Sequence, residues 1–282
     1  MPGVGGTLRF VDTVTTDRVG GLAVRRTGTG EPVLALHGSG GGLHSLAPLA
    51  ARLADFEVWR FARRGYPPSP NGFGRKSFGA EVRDVRTLLE TVRAVTESDV
   101  HLVGVGYGAT LALHTALAEP AGIRSLALLE PPVLLAGPPL EDVLARYRAL
   151  VAAGEHRAAE ELLAREVTRV PEPQLAALST LGGPDLHADP ARAAGLAEGW
   201  THDLEALASD EDDVARWAAL RPGLPVLLAQ GADSAEPLPA GMDALAAVLP
   251  HARRVVWEGR SHLAAASAPG VVAGSLREFW LS

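Results

Sequence analysis

Few kinds of side chain in this sequence could do chemistry. There is no cysteine and only one lysine, so thiol nucleophiles, disulfides and cysteine metal sites are excluded, and oxygen and imidazole groups remain. Lys76 stands in NGFGRKSFG, a loop where solvation is expected; an amine working as a base or Schiff-base former needs burial to depress its pKa. Of the histidines, His262 follows the last apolar run, in GRSH, and two carboxylates stand at the ends of earlier runs: Glu130 closes SLALLE and Asp233 lies in GADS. His44, His101, His114, His156, His187, His202 and His251 are read as surface or satisfied core residues, and His37 as a hydrogen-bonder in a turn. Two glycine-rich segments complete the set. PVLALHGSGGG, Pro32 to Gly42, is a strand opening into a loop that lacks both the GKS or GKT ending of a P-loop and GxGxxG spacing. Such glycines can instead bring backbone N–H groups up to a developing oxyanion. VHLVGVGYGA, Val100 to Ala109, is a strand entering a tight turn whose centre, Gly106, carries no side chain.

The elements that must position these residues follow from periodicity. Short apolar runs predict strands at Phe10–Val14, Leu22–Val24, Val33–Leu36, Val58–Phe61, Val100–Val103, Leu126–Leu129, Val226–Ala229 and Arg254–Trp257. Helical periods occupy Leu43–Leu53, Phe78–Val95, Ala109–Ala118, Met242–Val248 and Val271–Phe279. Strand and helix alternate, which predicts an α/β fold with a mostly parallel, doubly wound sheet. From Pro131 to Pro222 no strand is evident. Helical stretches around Tyr147, Leu162, Leu196–Leu207 and Val214–Leu220, separated by PEP and LGGPD breakers, predict a helical cap over 131–222, inserted into a core of 1–130 and 223–282. The acidic run Ser209–Asp213 reads as a solvated helix N-terminus.

Composition bounds the function. With 282 residues and 47% hydrophobic content the chain can bury a sizeable core. No run of eighteen apolar residues and no signal-like start is present, so a cytoplasmic location and no membrane partner are expected. A net charge of −7 offers no basic field for a nucleic acid. A small-molecule substrate is the expected partner.

Taken in order, HGSGGG, FARRGYPPS, GVGYGA, LLEPP, a helical insert, LLAQGADS and VWEGRSHLA closely resemble the α/β-hydrolase superfamily over nearly the whole chain, in a bacterial, cap-containing branch. The resemblance implies an eight-stranded α/β-hydrolase fold in which GVGYG is the nucleophile elbow, with glycine replacing the nucleophilic serine at Gly106. It implies His262 as the base, Glu130 as the acid that orients it, and the backbone N–H groups of Ser39 and Tyr107 as the oxyanion hole. Asp233 is the alternative acid, one residue before Ser234, where many relatives carry theirs. The chain departs from the family at Ala62, where an aspartate is usual, and at Pro67, where a glycine is usual. Tyr147 and Trp200 in the cap are candidates for contact with the substrate, whereas Trp217 reads as packing. No cofactor and no metal are implied.

Without a serine, acyl-enzyme formation is lost. A His–Glu dyad under an oxyanion hole retains general acid–base chemistry, namely cyclisation, elimination or water attack on a small, mostly apolar molecule with a carbonyl. The other readings are a non-catalytic ligand-binding protein and a serine hydrolase whose nucleophile was replaced. Tyr107 as a substitute nucleophile requires a phenol pKa well below 10, and Ser39 has no evident group to activate it.

Overall fold

A computed structural model describes residues 16–71, 74–168 and 190–282. Its eight strands are β1 (Asp17–Val19), β2 (Leu22–Thr27), β3 (Pro32–Leu36), β4 (Glu57–Phe61), β5 (Val100–Val105), β6 (Ile123–Leu129), β7 (Val226–Gly231) and β8 (Arg253–Trp257). They form one sheet in the order β1-β2-β4-β3-β5-β6-β7-β8. β1 and β2 run antiparallel at one edge, and every pairing from β4 to β8 is parallel. β3 is buried throughout and β5 to β7 nearly so, as expected for strands covered on both faces.

Nine helices are described: α1 (Ala47–Ala51), α2 (Phe78–Thr96), α3 (Tyr107–Ala118), α4 (Leu140–Ala152), α5 (His156–Glu166), α6 (Pro190–Ala208), α7 (Leu238–Val248), α8 (Ala264–Ser267) and α9 (Pro269–Trp280). One apolar cluster joins α2, α3 and α7 to one face of the sheet, and a second joins α1, α8 and α9 to the other. α2 shows how the sequence dictates this. Phe78, Val82, Val85, Leu88, Leu89 and Val92 recur at helical spacing and are all buried, and Glu97 ends the helix in a left-handed conformation. No described helix is long and apolar enough to cross a membrane.

Between β6 and β7 the described residues form α4, α5, α6 and a 3₁₀ segment, Val214–Ala219, with no strand. The expected strand Phe10–Val14 and the PEP and LGGPD breakers lie outside the described residues. Three other expectations need correction. The helix predicted over Leu43–Leu53 is confined to Ala47–Ala51; the leucines before it are buried from loop positions fixed by turns such as Ser45 N–H to Gly42 O. The acidic run is not simply solvated, because Asp210 takes hydrogen bonds from His114 and Arg216. Lys76 is buried, paired with Glu81 and Asp203 at 3.0 Å each.

Candidate active site

Parallel register brings the strand ends level. Leu36 pairs with Gly104, Val105 with Leu129, Leu129 with Ala229 and Gly231 with Trp257, so the loops after β3, β5, β6, β7 and β8 emerge at one carboxyl edge. That edge is where open α/β sheets bind ligands. Each residue singled out in the sequence analysis around the elbow, the glycine loop, Glu130, Asp233 and His262 lies on one of these loops.

Glu130 is buried, with its backbone at φ +47°, a left-handed conformation that a side-chain-bearing residue adopts only under constraint. The constraint is visible in its contacts. Oε1 accepts from the Gly231 N–H at 2.7 Å and from the Ser234 hydroxyl at 2.6 Å, and Oε2 lies 2.7 Å from His262 Nδ1. Asp233 is exposed; its amide donates to Arg260 O, which ties the loop after β7 to the loop carrying His262. Of the two carboxylates, Glu130 therefore meets the ring. Because an ionised carboxylate only accepts, the ring donates to Glu130 through Nδ1–H, which leaves Nε2 as the nitrogen turned toward the elbow.

Nε2 faces position 106. A β-carbon built on Gly106 would lie 3.2 Å from Nε2 and 3.3 Å from Cε1 of His262 and would meet nothing else nearer. The flanking glycines differ. A β-carbon on Gly104 would fall 2.3 Å from Gly108 O, and one on Gly108 2.3 Å from Leu36 O. Those two are demanded by backbone approach as α3 packs onto the sheet, whereas at 106 the neighbour is the His262 side chain, which must give by a few tenths of an ångström to admit a β-carbon. The backbone there, φ +54° and ψ −122°, costs glycine little and any other residue more.

The glycine loop is gripped from below. The Gly38 carbonyl accepts from His37 Nδ1 at 2.7 Å and from Gly41 N–H at 3.2 Å, and Arg63 Nη2 approaches it at 3.4 Å. In a trans peptide the N–H points opposite to the C=O, so the Ser39 N–H is turned away from this buried cluster. Arg63 Nε also donates to His37 O at 3.0 Å, and the Gly40 N–H donates to the Tyr66 hydroxyl at 3.1 Å. His37 Nε2 accepts from the Arg63 N–H, and burial together with the neighbouring Arg63 lowers the His37 pKa to about 3, so the ring stays neutral. Tyr107 opens α3, where the first amides lack intrahelical acceptors. Among the described residues neither the Ser39 nor the Tyr107 amide has a hydrogen-bond acceptor.

Sequence reasoning missed a buried ionic cluster beneath these amides. Arg63 binds Asp203 through both terminal nitrogens, at 2.8 and 2.6 Å, and Glu81 at 3.0 Å. Tyr66 donates to Asp203 at 2.7 Å, and Tyr107 donates to Glu81. Burial alone would raise the Asp203 carboxyl, yet Arg63 and Lys76 beside it hold it well below the usual carboxylate range. The sequence carried a faint signal in its single lysine, but Asp203 lies 140 residues from Arg63 and no local pattern joins them.

Burial, with Glu81 next in weight, pushes the Tyr107 phenol well above 10, and its hydroxyl is committed to Glu81, so it cannot substitute as nucleophile. The Ser39 hydroxyl makes no hydrogen bond among the described residues. Tyr147 is fully buried, its hydroxyl 3.3 Å from Ala197 O, and it packs α4 against α6. Trp200 is half-buried against the glycine loop, with Nε1 2.8 Å from where a β-carbon on Gly40 would stand. Trp217 is buried in edge contact with His114. Ala62 is buried, its carbonyl held by Ser69, and Pro67 meets α6 at Gly195.

The alpha/beta hydrolase fold family matches residues 31–269. A proline iminopeptidase of Heyndrickxia coagulans is 31% identical over 123 residues, 43% of this chain and 42% of that protein. The chain thus aligns with less than half the length of that curated relative. Among solved structures, an alpha/beta hydrolase from Sphaerobacter thermophilus is 26% identical with a TM-score of 0.74, covering 94% of this chain and all of that one. A thermophilic esterase from Thermogutta terrifontis, 23% identical with a TM-score of 0.76 over 95% of this chain and 96% of its own, shares the fold. An enol-lactonase from Burkholderia xenovorans, 20% identical with a TM-score of 0.75, does so over 95% of this chain and all of its own. The family model spans most of the chain, the eight-stranded, mostly parallel sheet is consistent with it, and the chain belongs to the α/β-hydrolase fold family.

Proposed function

We propose that this chain is an α/β-hydrolase-fold enzyme that works without a serine nucleophile, using His262 as a general base and acid on a small, mostly apolar molecule bearing a carbonyl. The observation that carries this reading is the 3.2 Å separation between a β-carbon position on Gly106 and His262 Nε2. The edge of the ring that carries Nε2 lies beside position 106, and the space a serine side chain would take there is left to a water molecule or to a proton-bearing group of the substrate. Nε2 takes the proton, and Glu130 stabilises the resulting imidazolium through Nδ1. Charge that develops on the carbonyl oxygen is taken by the amides of Ser39 and Tyr107. The proton then returns to the leaving group, the new ring or the product, according to whether water attack, cyclisation or elimination has occurred. Positioned proton transfer of this kind contributes about a hundred- to ten-thousand-fold.

The test has two arms. The unaltered protein should neither label with a fluorophosphonate nor hydrolyse p-nitrophenyl esters, and Gly106→Ser should acquire both reactions. Stoichiometric labelling of the unaltered protein, or a folded Gly106→Ser protein inert in both assays, would sink the reading. Screening of carbonyl-containing small molecules should then find one that is turned over, and that turnover should vanish in His262→Ala while binding persists. A ligand bound tightly and never converted would make this a binding protein.

A further inference from the structure

The buried cluster has no part in the proton transfers above, and its shape says what it does. Arg63 stands at a fork. One branch passes through Asp203 to Tyr66, whose hydroxyl holds the Gly40 N–H, while Arg63 itself grips the carbonyls of His37 and Gly38. The other branch passes through Glu81 to the phenol of Tyr107. The Arg63 guanidinium further lies 4.8 Å from the Tyr66 ring centroid and 4.3 Å from that of Tyr107. Thus the peptide that presents the Ser39 N–H and the residue that presents the Tyr107 N–H are both fastened to one planar cation, itself buried and unable to lose its charge.

We infer that Arg63 is a positioning residue that fixes the spacing of the Ser39 and Tyr107 amides, with Asp203 of the inserted segment as its anchor. The catalytic meaning of that spacing rests on the proposed reading of these amides as oxyanion donors; the positioning itself does not. Two donors serve one oxygen only if their separation is held, and a misplacement of about 1 Å can cost a hundred-fold in rate. The guanidinium is suited to this because its fork holds several acceptors in one plane, which a lysine ammonium at the same place cannot do.

The experiment compares unaltered protein, Arg63→Lys and Tyr66→Phe by amide NMR, with circular dichroism to verify folding. Arg63→Lys should displace the Ser39 and Tyr107 amide signals together, while Tyr66→Phe, which cuts one branch, should move Ser39 and leave Tyr107 in place. Amides on β7 such as Leu228 should not move in either variant. If Ser39 and Tyr107 stay put in folded Arg63→Lys, the inference is overturned. Should Arg63→Lys fail to fold, the near-isosteric Asp203→Asn takes its place and must move Ser39 to sustain the proposal; an unmoved Ser39 overturns it. In the Gly106→Ser background, Arg63→Lys should lower kcat for p-nitrophenyl esters about 10- to 100-fold, leaving KM and the pH at half-maximal rate nearly unchanged. Displaced amides with an unchanged kcat would uphold the positioning role and refute the donor role, so the two claims fail separately.

Discussion

The hydroxyl of Ser234 donates to Glu130 at 2.6 Å, on the carboxylate oxygen opposite the one that meets His262. The acid at the end of β6 is therefore braced by the loop after β7, where an acid could itself have stood. Glu130→Gln should retain the shape but lose the charge that holds the imidazole tautomer, and should lower turnover about a thousand- to ten-thousand-fold. Asp233→Asn should leave it within a few-fold, and Ser234→Ala should fall between them. Steady-state rates on the true substrate, or on p-nitrophenyl esters in the Gly106→Ser protein, rank the three.

Position 106 couples activity to strain. At φ +54° a serine or alanine pays a conformational penalty that glycine does not, so Gly106→Ser and Gly106→Ala should each unfold more easily by about 1 to 3 kcal/mol. Urea unfolding should give the same loss for both, while only the serine variant gains esterase activity.

The depressed pKa of His37 predicts an acid-labile fold. Folded His37 remains neutral down to about pH 3, whereas in the unfolded chain it protonates near 6.5. The stability it contributes is complete above about pH 6.5 and drains away as pH falls toward 3, at up to about 1.4 kcal/mol per pH unit from this group. His37→Asn should be less stable at neutral pH and should show a flatter decline over that window in urea midpoints measured at a series of pH values.

Removing Asp203 leaves Arg63 and Lys76 buried, with Glu81 the one carboxylate paired to them among the described residues. Asp203→Ala should cost about 3 to 5 kcal/mol, far more than loss of an exposed pair such as Arg26 with Glu57. Chemical denaturation of both variants measures the difference.

Trp200 meets the glycine loop from α6 and is not sealed as Tyr147 is. Trp200→Phe should weaken substrate binding several-fold with little change in kcat, while Tyr147→Phe should leave binding unaltered. Titration calorimetry with the true substrate distinguishes them.

What the sequence disclosed follows from where the information sits. β3 is a continuous apolar run and β5 and β6 end in apolar runs, Leu102–Val105 and Leu126–Leu129, because both faces are covered there; Glu130 and His262 were legible because each directly follows such a run or its turn. β1, reading Asp-Arg-Val and largely exposed, has no pattern of its own and is strand only because it pairs with β2. Val214–Ala219 reads as a helix and closes as a 3₁₀ turn, capped by Asp213 at the Ala215 N–H. Beyond its single lysine the Arg63 cluster has no signature in the sequence, because its charged members look like surface charges singly and only folding shows that they neutralise one another. Lys76 is the sharpest instance: a polar, glycine-rich neighbourhood suggested solvent, and Asp203, 127 residues away, took it inside.

The placement of Asp203 also bears on how a ligand reaches the site. It sits on α6 with no exposed surface, answering two cations and a tyrosine that belong to the core. Lifting α6 would break the ion pairs of Asp203 with Arg63 and Lys76, an excursion costlier than parting helices that meet through leucine and alanine. α6 therefore stays docked on the core while a ligand comes and goes. A crosslink pinning α6 to the core should leave the rate of ligand capture unchanged.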